Sequence, residues 1–119
     1  MFKEALQEIV QRTDGGVAGL LMGLDGIAIE SFVTGDEGIS IEEVGIEFGS
    51  VVQKIGQASE SLEAGNTQEV TIQAERLTTL IRMLGNEYFV AITLEPGGNL
   101  GKARFLMRTM GPKILAELA

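Results

Sequence analysis

The pattern of hydrophobic and polar positions divides the chain into segments of two kinds. In some, apolar residues recur every three or four positions, as on one face of a helix; in others they alternate with polar residues or run without interruption, as in strands. The predicted helices cover residues 2–12, 41–63 and 100–118. The predicted strands cover residues 17–23, 27–32, 68–75, 78–84 and 88–94.

Two of the predicted strands are apolar on both faces. They read VAGLLMG at residues 17–23 and YFVAITL at residues 88–94. Such strands need cover on both sides, so we predict an α+β fold with helices on both faces of one antiparallel sheet. No linker or internal repeat divides the chain, and residues 1–119 are expected to form a single domain.

Short polar motifs mark the ends of several elements. Leu24-Asp25-Gly26 lies between the first two strands and is typical of a tight hairpin turn, so Asp25 is predicted to shape the turn rather than to perform chemistry. Ser40 is the predicted N-cap of the long helix, with Glu43 completing a capping box. Asn99 is the predicted cap of the final helix.

The long helix carries two non-polar faces. Its larger apolar residues are predicted to form the core face: Val44, Phe48, Val51, Ile55, Ala58 and Leu62. Beside them lie three glycines, each costing about 1 kcal/mol relative to alanine in a helix. Either the chain's own sheet or the helix of a second copy approaches closely there. We favour a second copy and predict a homodimer interface at Gly45, Gly49, Val52, Gly56 and Ser59.

The strand predicted at residues 68–75 has one apolar and one polar face, as expected at the edge of a sheet. It contains no proline, and its charges, Glu69 and Glu75, stand near its ends. Such an edge is either solvated or paired with the same edge of a second copy. On the second interpretation, the homodimer interface includes Val70, Thr71, Ile72 and Gln73.

The composition excludes several kinds of site. Without cysteine or histidine, the chain has no disulfides, thiolate metal sites or histidine-dependent nucleophiles. A net charge of −8 argues against nucleic-acid binding. Four of the nine basic residues lie in the last helix: Lys102, Arg104, Arg108 and Lys113. No apolar run is long enough to span a membrane and the amphipathic N-terminus is no signal peptide, so we expect a cytoplasmic protein.

Two further motifs are too weak to indicate a ligand. The stretch PGGNLGK at residues 96–102 is similar to a phosphate-binding loop, but Pro96 and Ala103 occupy two of its defining positions. The acidic residues around Asp36 and Glu37 lack the alternating oxygen ligands of a calcium-binding loop. We therefore predict no cofactor, no metal ion and no catalytic residue.

Three stretches resemble the Roadblock/LC7 domain family, and within it the bacterial MglB-like proteins. They are LDGIAIES at residues 24–31, IEEVGIEFGSVVQKIGQASESL at 41–62 and NLGKARFLMR at 99–108. The resemblance covers about residues 4–116. It implies a five-stranded antiparallel sheet between the long central helix and the two terminal helices, and dimers formed through the central helix and the third strand.

The resemblance also implies a function. The family members are not enzymes. They serve either as partners of small Ras-like GTPases or as dynein-associated light chains, and a dimer of an MglB-like protein speeds GTP hydrolysis by one GTPase. The exposed face of the central helix is then the predicted partner-binding surface: Glu42, Glu43, Ile46, Glu47, Ser50, Gln53, Lys54 and Gln57. The alternatives are an adaptor or scaffold that leaves GTP hydrolysis unchanged, and a small-ligand sensory domain.

Overall fold

Three helices and five strands make up the computed structural model, which describes residues 1–35 and 40–119. The helices are α1 (Phe2–Arg12), α2 (Ile41–Ser61) and α3 (Leu100–Leu118). The strands are β1 (Gly16–Gly23), β2 (Ala28–Val33), β3 (Glu69–Gln73), β4 (Thr78–Leu84) and β5 (Tyr88–Leu94). Every predicted element is present, in the predicted order.

Side-chain caps fix the starts of α2 and α3. The Ser40 hydroxyl accepts a hydrogen bond from the backbone N–H of Glu43 at 3.3 Å. The Asn99 side-chain oxygen accepts one from the backbone N–H of Lys102 at 3.0 Å. Each cap satisfies a first-turn N–H group that has no partner within the helix. Both predicted N-caps are therefore confirmed.

Asp25 shapes the turn between β1 and β2, as predicted. Its Oδ1 accepts a hydrogen bond from the backbone N–H of Ile27 at 3.0 Å, and Gly26 adopts a φ of 88° that favours glycine. The backbone N–H of Leu24 donates to the carbonyl oxygen of Glu87 at 2.8 Å. This bond joins the β1–β2 turn to the β4–β5 turn at the same end of the sheet.

The five strands form one antiparallel sheet in the order β2-β1-β5-β4-β3. The central strands β1 and β5 are buried along nearly their whole length, as their apolar sequences predicted. On one face of the sheet, Leu21, Leu80 and Ile92 pack with residues of α1 and α3. On the other face, Leu20 and Phe89 pack with residues of α2. The sheet thus lies between the central helix and the two terminal helices.

The helix α2 packs its glycines against the chain's own sheet. Its buried residues are Ile41, Gly45, Gly49 and Val52. A Cβ at Gly45 would lie 2.3 Å from Cδ2 of Leu20, so the helix backbone itself rests on the side chains of β1. Of the two explanations for these glycines, packing onto the chain's own sheet therefore accounts for Gly45 and Gly49.

The prediction that the larger apolar residues of α2 form its core face holds only in part, since Val44 and Phe48 alone of the six pack against a core cluster. Val44, Phe48 and Ile55 are only half-buried, and Val51, Ala58 and Leu62 are exposed. The physical reason is the close approach of the helix, because only small residues fit where its backbone rests on the sheet. The larger side chains are displaced to one flank of the helix.

None of the helices in residues 1–35 and 40–119 combines the length and the apolar character needed to cross a membrane.

Candidate protein-interaction surface

The face of α2 that points away from the sheet is exposed. All eight residues predicted to bind a partner are exposed there: Glu42, Glu43, Ile46, Glu47, Ser50, Gln53, Lys54 and Gln57. Ile46 is 54% exposed, and three carboxylates lie beside it or one turn away. We call Glu42, Glu43, Ile46 and Glu47 the acidic face. The exposure of this face agrees with the prediction from the sequence, and its role in binding stays a prediction.

Gln53 has a structural contact as well as an exposed position. Its side-chain Nε2 donates a hydrogen bond to the carbonyl oxygen of Leu24 at 2.7 Å. This bond holds α2 against the β1–β2 turn, which is itself bonded to Glu87 in the β4–β5 turn. Gln53 therefore positions the helix in addition to standing on its predicted partner-binding surface.

A second surface of α2 runs along one side of the helix. We call it the apolar flank, and it consists of Val44, Phe48, Val51, Ile55, Ala58 and Leu62. Val51 is 45% exposed and Leu62 is 78% exposed. The half-buried Val44 and Phe48 pack beside the core, together with Val70 and Ile72 of β3. A contiguous apolar strip of this kind is typical of a protein–protein contact.

The strand β3 is an edge strand. Among the described residues it pairs with β4 alone, in a register that places Thr71 opposite Leu80. The Gln68 carbonyl oxygen accepts from the N–H of Met83, and the N–H of Ala74 donates to Leu77. Because hydrogen-bonded pairs alternate in an antiparallel ladder, the even-numbered residues of β3 bond to β4. The odd-numbered residues direct their N–H and C=O groups to the open edge: Glu69, Thr71 and Gln73.

The residues predicted to form the dimer interface fall into two groups. On α2, Gly45, Gly49 and Val52 are buried against the sheet, whereas Gly56 and Ser59 are half-buried. Ser59 accepts a hydrogen bond from the hydroxyl of Thr67 at 3.3 Å. On β3, Val70 and Ile72 are half-buried, and Thr71 and Gln73 are exposed. The burial of Gly45, Gly49 and Val52 against the chain's own sheet leaves them no free surface, and the interface on β3 stays a prediction. The apolar flank, which the sequence assigned to the core, is the uncovered apolar surface of α2.

An ionic cluster that the sequence did not reveal anchors β3 to α3. Arg104 Nε bonds to Glu69 Oε2 at 2.7 Å, and Arg104 Nη2 donates to the Thr71 hydroxyl at 3.3 Å. Arg82 Nη1 lies 3.8 Å from Glu69 Oε1. Both partners of the Arg104–Glu69 pair are partly buried, so solvent screens the pair somewhat less than a fully exposed one. The cluster stiffens the edge strand from the face opposite α2.

The surface offers little for a small ligand. An open groove of about 450 Å³ lies between α2 and the turns at its end, and its polar lining is mostly uncharged amides such as Gln57, Asn66 and Asn86. Within the part of the chain that the structure describes, no three acidic side chains are grouped to hold a metal ion. Asp36 and Glu37, considered above for calcium, lie outside the described residues.

The fold is that of the Roadblock/LC7 domain. The structure is similar to a Roadblock/LC7 domain from Streptomyces avermitilis, with 12% identity, coverage of 98% of this chain and 96% of that chain, and a TM-score of 0.86. It is also similar to MglB from Myxococcus xanthus, with 10% identity, coverage of 98% and 93%, and a TM-score of 0.84.

MglB and MglC structures share that fold with this chain. MglC from Myxococcus xanthus is 29% identical in sequence, covers 96% of both chains and superposes with a TM-score of 0.68. No protein-family model matches the chain, and neither does any curated protein sequence. The fold predicted from the resemblance is thereby confirmed.

Proposed function

We propose that this chain is a non-enzymatic binding module that forms a homodimer and regulates a small Ras-like GTPase. The observation that carries the proposal is that α2 leaves both an acidic face and an apolar flank uncovered. The Roadblock/LC7 fold and the similarity to MglC support it. In this proposal the chain supplies surfaces rather than reacting groups, which agrees with the absence of histidine and cysteine from its sequence.

In the proposed dimer, the apolar flank and the β3 edge of one copy contact the same features of the other. An isologous contact of this kind buries the apolar flanks and pairs the β3 edges of both copies at the same time. Antiparallel pairing of the two β3 edges joins the sheets through the N–H and C=O groups of Thr71 and its odd-numbered neighbours. Val51 and Leu62, which are the most exposed large side chains of the flank, become buried between the two α2 helices.

The acidic faces remain on the outer side of the paired helices. Their carboxylates suit the basic surface of a partner and speed its approach, because opposite charges steer association. Ile46 supplies the apolar centre that an interface of mixed polarity needs. In this proposal the dimer acts on GTP hydrolysis by repositioning residues of the GTPase and supplies no catalytic group of its own.

Ile46→Glu is expected to weaken binding of the GTPase at least about tenfold, because it places a fourth carboxylate at the apolar centre of the contact. Isothermal titration calorimetry with a small Ras-like GTPase of the same organism, loaded with GDP or a non-hydrolysable GTP analogue, measures this change. Leu115→Glu is the matched control, since Leu115 is an exposed apolar residue of α3 on the opposite face of the sheet. Equal affinities for Ile46→Glu and the unaltered protein would contradict the proposal.

An adaptor that leaves hydrolysis unchanged would use the same two surfaces. Measured GTP turnover therefore distinguishes regulation from tethering, whereas binding alone does not.

A further inference from the structure

The outer side of α3 carries an exposed aromatic ring among cations. Phe105 is 58% exposed, and the Lys102 ammonium lies 6.0 Å from the centre of its ring. Arg108 is exposed one turn further along the same side of the helix. We call Lys102, Phe105 and Arg108 the cation–aromatic surface. It stands out in a chain whose net charge is −8.

The acidic face of α2 has a similar arrangement with the opposite charge. There, Ile46 is the apolar centre, and Glu43 and Glu47 supply the charge. On α3, Phe105 is the apolar centre, and Lys102 and Arg108 supply the opposite charge. In both helices a charged residue precedes the apolar centre by three positions, so that the two lie on one side of the helix.

The two surfaces cannot meet within one chain. The core of α2 lies on one face of the five-stranded sheet and the core of α3 lies on the other. Any contact between them must therefore join different molecules. The contact is also heterologous, since the α3 surface of one molecule meets the α2 surface of the next. Such head-to-tail contacts build a growing chain of molecules unless the geometry closes a ring.

We propose that the cation–aromatic surface of α3 docks the acidic face of α2 from a second copy of this chain. Phe105 packs against Ile46, and Lys102 and Arg108 face Glu43 and Glu47. Opposite charges attract the two copies, and burial of Phe105 against Ile46 completes the contact. The proposal does not depend on the GTPase, because it concerns the protein alone. It does place the stacked copy and a GTPase in competition for the acidic face.

A second copy fits these observations better than a nucleic acid or an anionic lipid surface. The positive charges on the cation–aromatic surface are few, and the rest of the chain is strongly acidic, so a polyanion would be repelled by most of the molecule. The acidic face of α2 carries the opposite charge around an exposed apolar residue of its own, Ile46.

Sedimentation velocity of the purified chain tests the proposal. At about 20 mM NaCl the average mass is expected to be about twice or more that at about 500 mM, since high salt screens exposed charges. The charge-reversed variants Lys102→Glu/Arg108→Glu and Glu43→Lys/Glu47→Lys are each expected to lose this increase. An equimolar mixture of the two variants is expected to regain it, because opposite charges again face each other.

The control is Lys3→Glu/Arg76→Glu, which changes the net charge by the same amount as Lys102→Glu/Arg108→Glu, at an exposed residue of α1 and one between β3 and β4. It is expected to assemble like the unaltered chain, provided that circular dichroism shows equal folding of all variants. The proposal is overturned if the unaltered chain shows no increase in mass at low salt, if the control loses the increase as well, or if the mixture fails to restore it.

The variant Phe105→Ser separates docking from general charge attraction. It keeps every charge but removes the apolar centre, so assembly at low salt is expected to weaken several-fold. Assembly as strong as that of the unaltered chain would overturn the pairing of Phe105 with Ile46.

Discussion

Replacing Gly45 with alanine is expected to lower the free energy of unfolding by about 2 kcal/mol, although alanine is the better helix former. The added Cβ would lie 2.3 Å from Cδ2 of Leu20 and 2.9 Å from the sulfur of Met22. Both side chains are completely or almost completely buried, so neither has room to move away. The helix must therefore lift from the sheet, which loosens the core beneath it.

Gly56→Ala is the matched control in the same helix. The nearest atom to its added Cβ is the Thr67 hydroxyl oxygen at 3.9 Å, which is ordinary contact. This variant is expected to gain up to about 1 kcal/mol from helix propensity. Urea unfolding at one fixed protein concentration measures both changes, since dimerisation makes stability depend on concentration. A Gly45→Ala protein as stable as the unaltered one would contradict the observed contact between α2 and the sheet.

Thr71→Pro is expected to raise the dissociation constant of the homodimer about tenfold or more. The N–H of Thr71 points to the open edge of β3, where the second copy is proposed to bind, and proline removes that donor. The bonds between β3 and β4 come from the neighbouring even-numbered residues and are retained. The variant should therefore lose affinity for its second copy with little loss of its own fold.

Thr71→Ala separates the backbone effect from the side-chain effect. Like proline, alanine removes the hydroxyl that accepts a hydrogen bond from Arg104, but it keeps the backbone N–H. Sedimentation equilibrium of the two variants is expected to give a weaker dimer only for proline. Equal dimer affinities in the two variants would indicate that the β3 edge is not part of the interface.

The arrangement of elements could be predicted from the sequence because it depends on local signals. The uninterrupted apolar runs of β1 and β5 indicated strands covered on both faces, and the structure confirms this burial. Asp25, Ser40 and Asn99 each act on backbone groups within three residues, so their turn and capping roles were evident from spacing alone.

The orientation of α2 could not be predicted in this way. Hydrophobic periodicity identifies a stripe of large apolar residues but does not show whether they face the core or a partner. In this helix Gly45 and Gly49 set the contact with the sheet, because the distance between helix and sheet decides which side chains fit. The Arg104–Glu69 pair was equally hidden, since its residues are 35 positions apart and meet only after folding.

GTP turnover tests the central claim most directly. A small Ras-like GTPase of the same organism is incubated with GTP and increasing amounts of the unaltered chain, and released phosphate is measured. The proposal predicts that the rate rises and saturates near two chains per GTPase, and that Ile46→Glu removes most of the rise. Binding of the GTPase without any change in its turnover would contradict regulation and would assign the chain to the adaptors.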